Sequence, residues 1–295
     1  MNAVPTPVAH PLALAGLLAG ACTIALAPIL VRFSEVGPVA TGFWRILLSL
    51  PVALAWMMRE RRAQPDAPTP PLRWRPLALC GLFFAADLGI WHLSLSLTSV
   101  ANSTLLVNMA PIFVTLGAWA VFGIRVTRTF LLGMAVGVVG AALLALSSAR
   151  FSPEHLAGDA LALLAAVAYA GYILAIKELR GTLGTGTILA LSGVFTCLGL
   201  APAMLLLGET VIPATARGWA VVIALAVVVQ LIGQSLITWS MRHLPASFSA
   251  VSLLLQPVVA ALLAWALLAE AVGPVQALGA AAVLLGIYVA RRGSF

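Results

Sequence analysis

Two residues of opposite charge stand inside long apolar runs: Arg45, in Phe43-Trp44-Arg45-Ile46, and Asp87, in Ala85-Ala86-Asp87-Leu88. A charge in hydrocarbon costs roughly 2.5–3.5 kcal/mol or more unless it is paired or faces water, so each is a candidate for function. Asp87 can bind a substrate ammonium, take up a proton, or stand as the buried partner of Arg45. Arg45 can bind a substrate carboxylate, gate a vestibule through Asp87, or anchor a helix end by snorkelling. Helical spacing sets Asp87, Trp91 and Ser94 on one stripe. His92, one position off that stripe, can relay a proton or pack as a hydrogen-bonded imidazole.

Uncharged polar groups follow further along the chain. Gln230 and Gln234 share a helical face, as do Ser249, Ser252 and Gln256. Amides and hydroxyls can hold both ends of an amino acid without a permanent charge, or they can join helices to one another. Trp91, Tyr169, Tyr172 and Trp239 are the aromatic candidates for stacking on a substrate. Pro111 and Pro257 interrupt apolar runs, where a lost hydrogen bond leaves a kink that can serve as a hinge.

Other chemistry is missing. There is no G-x-x-x-x-G-K-[ST] loop, so ATP hydrolysis by that route is excluded. There is no H-E-x-x-H, no cysteine–histidine metal spacing and no G-x-S-x-G elbow. Catalytic residues, a metal and a cofactor are therefore not expected. Cys22, Cys80 and Cys197 lie in apolar stretches, which argues against a disulfide framework.

The elements that carry these residues follow from composition. Of 295 residues, 62% are hydrophobic and 8% charged, whereas a soluble domain is about 45–50% apolar and about 25% charged. A span needs roughly 20 apolar residues, and ten such runs occur, near 11–31, 38–58, 76–97, 99–122, 129–148, 157–177, 186–207, 218–240, 245–268 and 273–290. Lipid demands that every backbone polar group be satisfied, and these continuous runs read as helices rather than as barrel strands. The N-terminus lacks a basic start and a cleavage site, so it reads as retained.

The formal charge of +7 is topological and points to no nucleic-acid partner. Ten spans put Arg59, Arg61, Arg62, Arg73, Arg75, Arg125, Arg128, Lys177, Arg180, Arg242, Arg291 and Arg292 on one side of the bilayer, with only Arg32, Arg150 and Arg217 opposite. The positive-inside rule then places both termini in the cytoplasm.

A repeat underlies the spans. Laid ungapped at an offset of 146, Ser103–Gly140 matches Ser249–Gly286 at eleven of 38 positions, including Pro111 with Pro257, Trp119 with Trp265 and Gly133 with Gly279. Five helices per half is an odd number, so residues 1–150 and 151–295 would enter the membrane from opposite sides as inverted repeats, the architecture of many secondary transporters.

The stretch from Gln256-Pro257 through Trp265 to Glu270 resembles the signature of the EamA-type transporters of the drug/metabolite transporter superfamily. Phe43-Trp44-Arg45, and Trp91 followed by Asn102 through Pro111, are similar to the same pattern. The resemblance implies an all-α integral membrane protein of the bacterial inner membrane, with ten helices in two inverted five-helix repeats around a central cavity. It also implies export of small metabolites such as amino acids, with the exporters of aromatic amino acids one candidate subgroup. One departure stands out: the first-half glutamate matching Glu270 is Ile124. The reading is a secondary transporter or facilitator working by alternating access in a lipid bilayer. The alternatives are a membrane-embedded enzyme acting on lipid-linked substrates and a non-transporting membrane subunit. Sequence alone does not assign the oligomeric state.

Overall fold

A computed structural model describes residues 11–63, 72–146, 153–268 and 273–295. Ten helices in it are long and apolar enough to span a membrane: α1 Pro11–Arg32, α2 Pro38–Arg62, α3 Trp74–Leu97, α4 Asn102–Phe122, α5 Arg128–Ala145, α6 Pro153–Leu179, α7 Thr185–Leu206, α8 Ala216–Ser240, α9 Ala246–Leu263 and α10 Pro274–Ser294. These are the ten apolar runs, with ends shifted by a few residues. Two of the connections are very short, yet each is a real break: Thr98 and Pro245 are both extended, which separates α3 from α4 and α8 from α9. Glu270 and Arg150 lie outside the described residues.

Proline governs the interior geometry because it removes a backbone donor. The helix is interrupted at Ala25–Leu26 before Pro28, at Asn108–Met109 before Pro111 and at Leu253–Leu254 before Pro257. Residues Leu225–Gln234 of α8 form a π-helical stretch, and Gln230 and Gln234 both lie within it. Such wide turns are rare and are found frequently at functional sites.

Without water between helices, close packing must hold the bundle together, so small residues occupy the contacts. The tightest pair is α5 with α10. There Gly133, Gly137 and Gly140 face Gly279, Gly286 and Ala290, with the two backbones in direct contact. Other neighbours are α2 with α7, α3 with α6 and α7, α8 with α1 and α2, α4 with α6 and α9, and α1 with α9. Around this core, Leu79, Leu132, Leu198, Leu206 and Leu278 project outward and are exposed, as do Trp119 and Trp265. That apolar exterior suits hydrocarbon.

Candidate functional site

Between α1, α2, α3 and α8 lies a cavity of about 30 Å³, lined by Ala27, Val31, Thr41, Gly42, Arg45, Leu88, Trp91, His92 and Leu225. That volume holds a water or two and no larger solute. Local sequence explains the gap: α1 breaks before Pro28, and α2 places Thr41-Gly42 a turn before Arg45.

Arg45 is the hub. Its Nε donates to Gln230 Oε1 of α8 at 3.1 Å. Its guanidinium sits 5.8 Å from the centre of the Phe84 ring, and Phe84 stacks on Tyr172 of α6 with centroids 4.3 Å apart. Tyr169 lies beside Tyr172, at 6.2 Å between centroids. Four helices therefore converge on one cation. A directed Nε bond together with a cation–π contact to an aromatic ring suits a guanidinium better than an ammonium.

Asp87, one turn beyond Phe84, is 8% exposed. Among the described residues it makes no hydrogen bond and no direct ion pair, although Arg45 and Tyr169 lie within its electrostatic reach. Of the alternatives open to it in the sequence, direct pairing with Arg45 is absent. Other buried groups of the bundle are also left over. Trp91 Nε1, both ring nitrogens of His92, Gln234 Nε2, Ser235 Oγ and Thr238 Oγ1 are buried without a partner. Buried polar atoms are nearly always satisfied, so the orphaned nitrogens of Trp91 and His92 at the cavity mark a place where a polar guest or water completes the bonding.

The structure brings together Arg45, Asp87, Trp91, His92, Tyr169 and Gln230. It separates Trp239 from them. That ring packs against Gly16 and His243 near the other end of α8, so the two tryptophans do not share a chamber. Gln256 follows the break in α9 and is not among the residues lining the cavity. Pro111 is buried and Pro257 is half-buried, each just beyond its helix break. Phe84, Thr41 and the α1 residues Ala27 and Val31 did not stand out in the sequence; the Pro28 break was the available signal. Among the described residues no group of three or more His, Cys, Asp or Glu side chains could hold a metal.

At the ends of the spans and in the turns between them, acidic residues hold the helix termini. Glu209 accepts from the backbone N–H groups of Val39 at 3.2 Å and Ala40 at 2.8 Å. Glu60 accepts from those of Gly186 at 2.9 Å and Thr187 at 3.1 Å, and from the Thr187 hydroxyl at 3.1 Å. Glu35 accepts from the Thr215 hydroxyl and from the Ala214 and Thr215 amides. Those bonds, led by the hydroxyl, hold its carboxyl below the ordinary value of 4.5. Asp159 accepts from Thr98 Oγ1 at 2.6 Å and Asn102 Nδ2 at 3.2 Å, and Glu178 pairs with Arg73 at 2.7 Å. Nearby, burial and then the neighbouring Arg242 lower the Arg180 guanidinium to about 10.

A crystal structure with a TM-score of 0.78 at 20% identity, covering 95% of this chain and 98% of its own, has the same fold. The pseudopaline exporter CntI of Pseudomonas aeruginosa is 30% identical over 181 residues in both strain UCBPP-PA14 and strain PAO1. Those matches span 60% of this chain and 60% of the length of each relative. The model of the EamA-like transporter family matches twice, at residues 10–146 and 156–292, which together take in nearly the whole chain. The chain belongs to the EamA-like transporter family.

Proposed function

We propose that this protein is a secondary transporter or facilitator that exports small zwitterionic solutes, amino acids or related metabolites, by alternating access about the Arg45–Asp87 site. The observation that carries this reading is the pair of opposite charges in the bundle interior that do not neutralise one another directly. Arg45 is held by Gln230 and Phe84. Asp87 waits without a hydrogen bond beside the unsatisfied Trp91 and His92 nitrogens. A substrate with a carboxylate and an ammonium would complete both groups, with Tyr169 and Gln234 shaping its side-chain pocket. The cavity of about 30 Å³ is too small for such a solute, so binding requires the bundle to open. The exporter name carried by the Pseudomonas aeruginosa relatives agrees with the direction of transport. Membership in a transporter family sets aside the membrane-embedded enzyme.

The same reading takes residues 1–150 and 151–295 as inverted five-helix repeats. In support, the family model matches each half separately. Exchanging α1–α5 with α6–α10 also maps the helix contacts onto one another: α3 with α6 onto α8 with α1, α3 with α7 onto α8 with α2, and α4 with α6 onto α9 with α1. Pro111 and Pro257, at matching breaks, would be the hinges. The distribution of basic residues supports cytoplasmic termini in a bacterial inner membrane.

The test is counterflow in proteoliposomes holding only the purified protein, with a panel of neutral and aromatic amino acids and their derivatives at two pH gradients. Saturable exchange of at least one zwitterion supports the proposal. Failure across the panel, with monodisperse protein, overturns it.

A further inference from the structure

Resting on alternating access as the working reading, we infer that Glu209 and Glu60 are paired gate latches, each closing one end of the α2–α7 pair by capping the other helix. α2 and α7 lie antiparallel, because Glu60, in the last turn of α2, reaches the start of α7, and Glu209, just past the end of α7, reaches the start of α2. The register is the same at both ends. The residue before each helix is a glycine, Gly37 for α2 and Gly184 for α7, and each carboxylate takes the N–H groups two and three positions further on.

An N-cap is ordinarily filled by the local Ser, Thr, Asp or Asn. Neither glycine has a positive φ, at −57° and −68°, so backbone conformation does not require glycine there. Space does: a Cβ on Gly37 would overlap the Glu209 carboxylate, and one on Gly184 the Glu60 carboxylate. Neither end has a local side-chain cap, and a carboxylate from the opposite half of the chain stands in its place. A carboxylate also complements the positive end of the helix dipole.

The remaining acidic contacts follow the same division. Glu35 to α8, and Asp159 to Thr98 and Asn102, close the end held by Glu209. Glu178 to Arg73 closes the end held by Glu60. Every one of these five ties joins a residue numbered below 147 to one above 152. With both ends tied, the cavity beside Arg45 holds no more than a water or two, as in an occluded state. Opening toward one side then requires release of the cap at that end while the other end stays capped and acts as the pivot.

The test uses two reporter cysteines on the α2 face that carries Arg45. One is Gly42→Cys, where a Cβ has ordinary contacts of 3.6 Å or more, and the other is Ser49→Cys. Each is introduced with Cys22, Cys80 and Cys197 replaced by alanine. Labelling by a membrane-impermeant maleimide is followed in nanodiscs. Glu209→Gln should raise labelling at position 42 about tenfold, equivalent to about 1.4 kcal/mol, and leave position 49 unchanged. Glu60→Gln should do the reverse. Gly37→Ala and Gly184→Ala, which displace the same carboxylates without altering them, should reproduce the two patterns. Reporters that react in the parent protein at rates no glutamate or glycine variant changes would overturn the latches alone. Reporters that never react in the parent, from either end, would overturn alternating access itself.

Discussion

Replacing a helix N-cap glycine by serine is expected to be neutral or mildly stabilising, because serine supplies the missing acceptor. At Gly37 the outcome should be the opposite. A side chain there displaces Glu209, whose two oxygens take the N–H groups of Val39 and Ala40 at 3.2 and 2.8 Å. Hydrogen bonds to a charged group are worth about 1.5–3 kcal/mol each, but the freed amides recover water at the helix end and serine caps one of them. A net loss of about 2 kcal/mol remains, near the upper end for cap removal. At roughly 2–4 °C per kcal/mol for a chain of this size class, Gly37→Ser should lower Tm by roughly 4–8 °C. Gly273 is the internal control: it precedes α10 in an ordinary extended conformation, and a Cβ there meets nothing within 4 Å. Gly273→Ser should leave Tm unchanged or raise it slightly. Thermal unfolding of both variants in one detergent decides the matter, and equal shifts in the two would refute the argument from cross-half capping.

Three further outcomes follow from the geometry. Arg45→Lys keeps the charge but loses the Nε bond to Gln230 and alters the cation–π contact with Phe84, so half-saturation in counterflow should rise about tenfold while Tm changes little. Gly286→Val drives a side chain into the backbone of Gly137, which cannot yield, and should cost about 1–3 kcal/mol or more, seen as a Tm lower by several degrees. Glu35 is held below its ordinary value, so its cap is fully present above about pH 4.5 and is lost as pH falls through the lowered value. The decline of Tm on acidification below about pH 4.5 should therefore be shallower in Glu35→Gln than in the parent.

The spans could be read from sequence because hydrocarbon leaves little choice: a run of about 20 apolar residues must be helical. The breaks before Pro111 and Pro257 were likewise visible, since proline acts locally. Arg45 and Asp87 declared themselves by their cost in lipid. What stayed hidden depends on contacts between residues far apart in the chain. Glu60 and Glu209 look like ordinary charges at helix ends until α2 and α7 are laid side by side. Glycine at two N-cap positions, where serine or threonine is usual, was the one local trace of them. The π-helical stretch that carries Gln230 and Gln234 had no counterpart in the periodicity, because an apolar run satisfies an α-helix and a π-helix equally well. Trp239, an aromatic candidate by type alone, packs against His243 near the other end of its helix from the cavity, a placement that only the fold shows.

The central claim is that Asp87 and Arg45 receive the two charged ends of one solute. Counterflow by Asp87→Asn and Arg45→Gln in proteoliposomes, with Tm recorded on the same preparations, tests it most directly. The account predicts folded protein in which each substitution lowers zwitterion exchange at least about tenfold, the size of a lost charge-assisted contact. Exchange at the parent rate in the Asp87→Asn protein would contradict it.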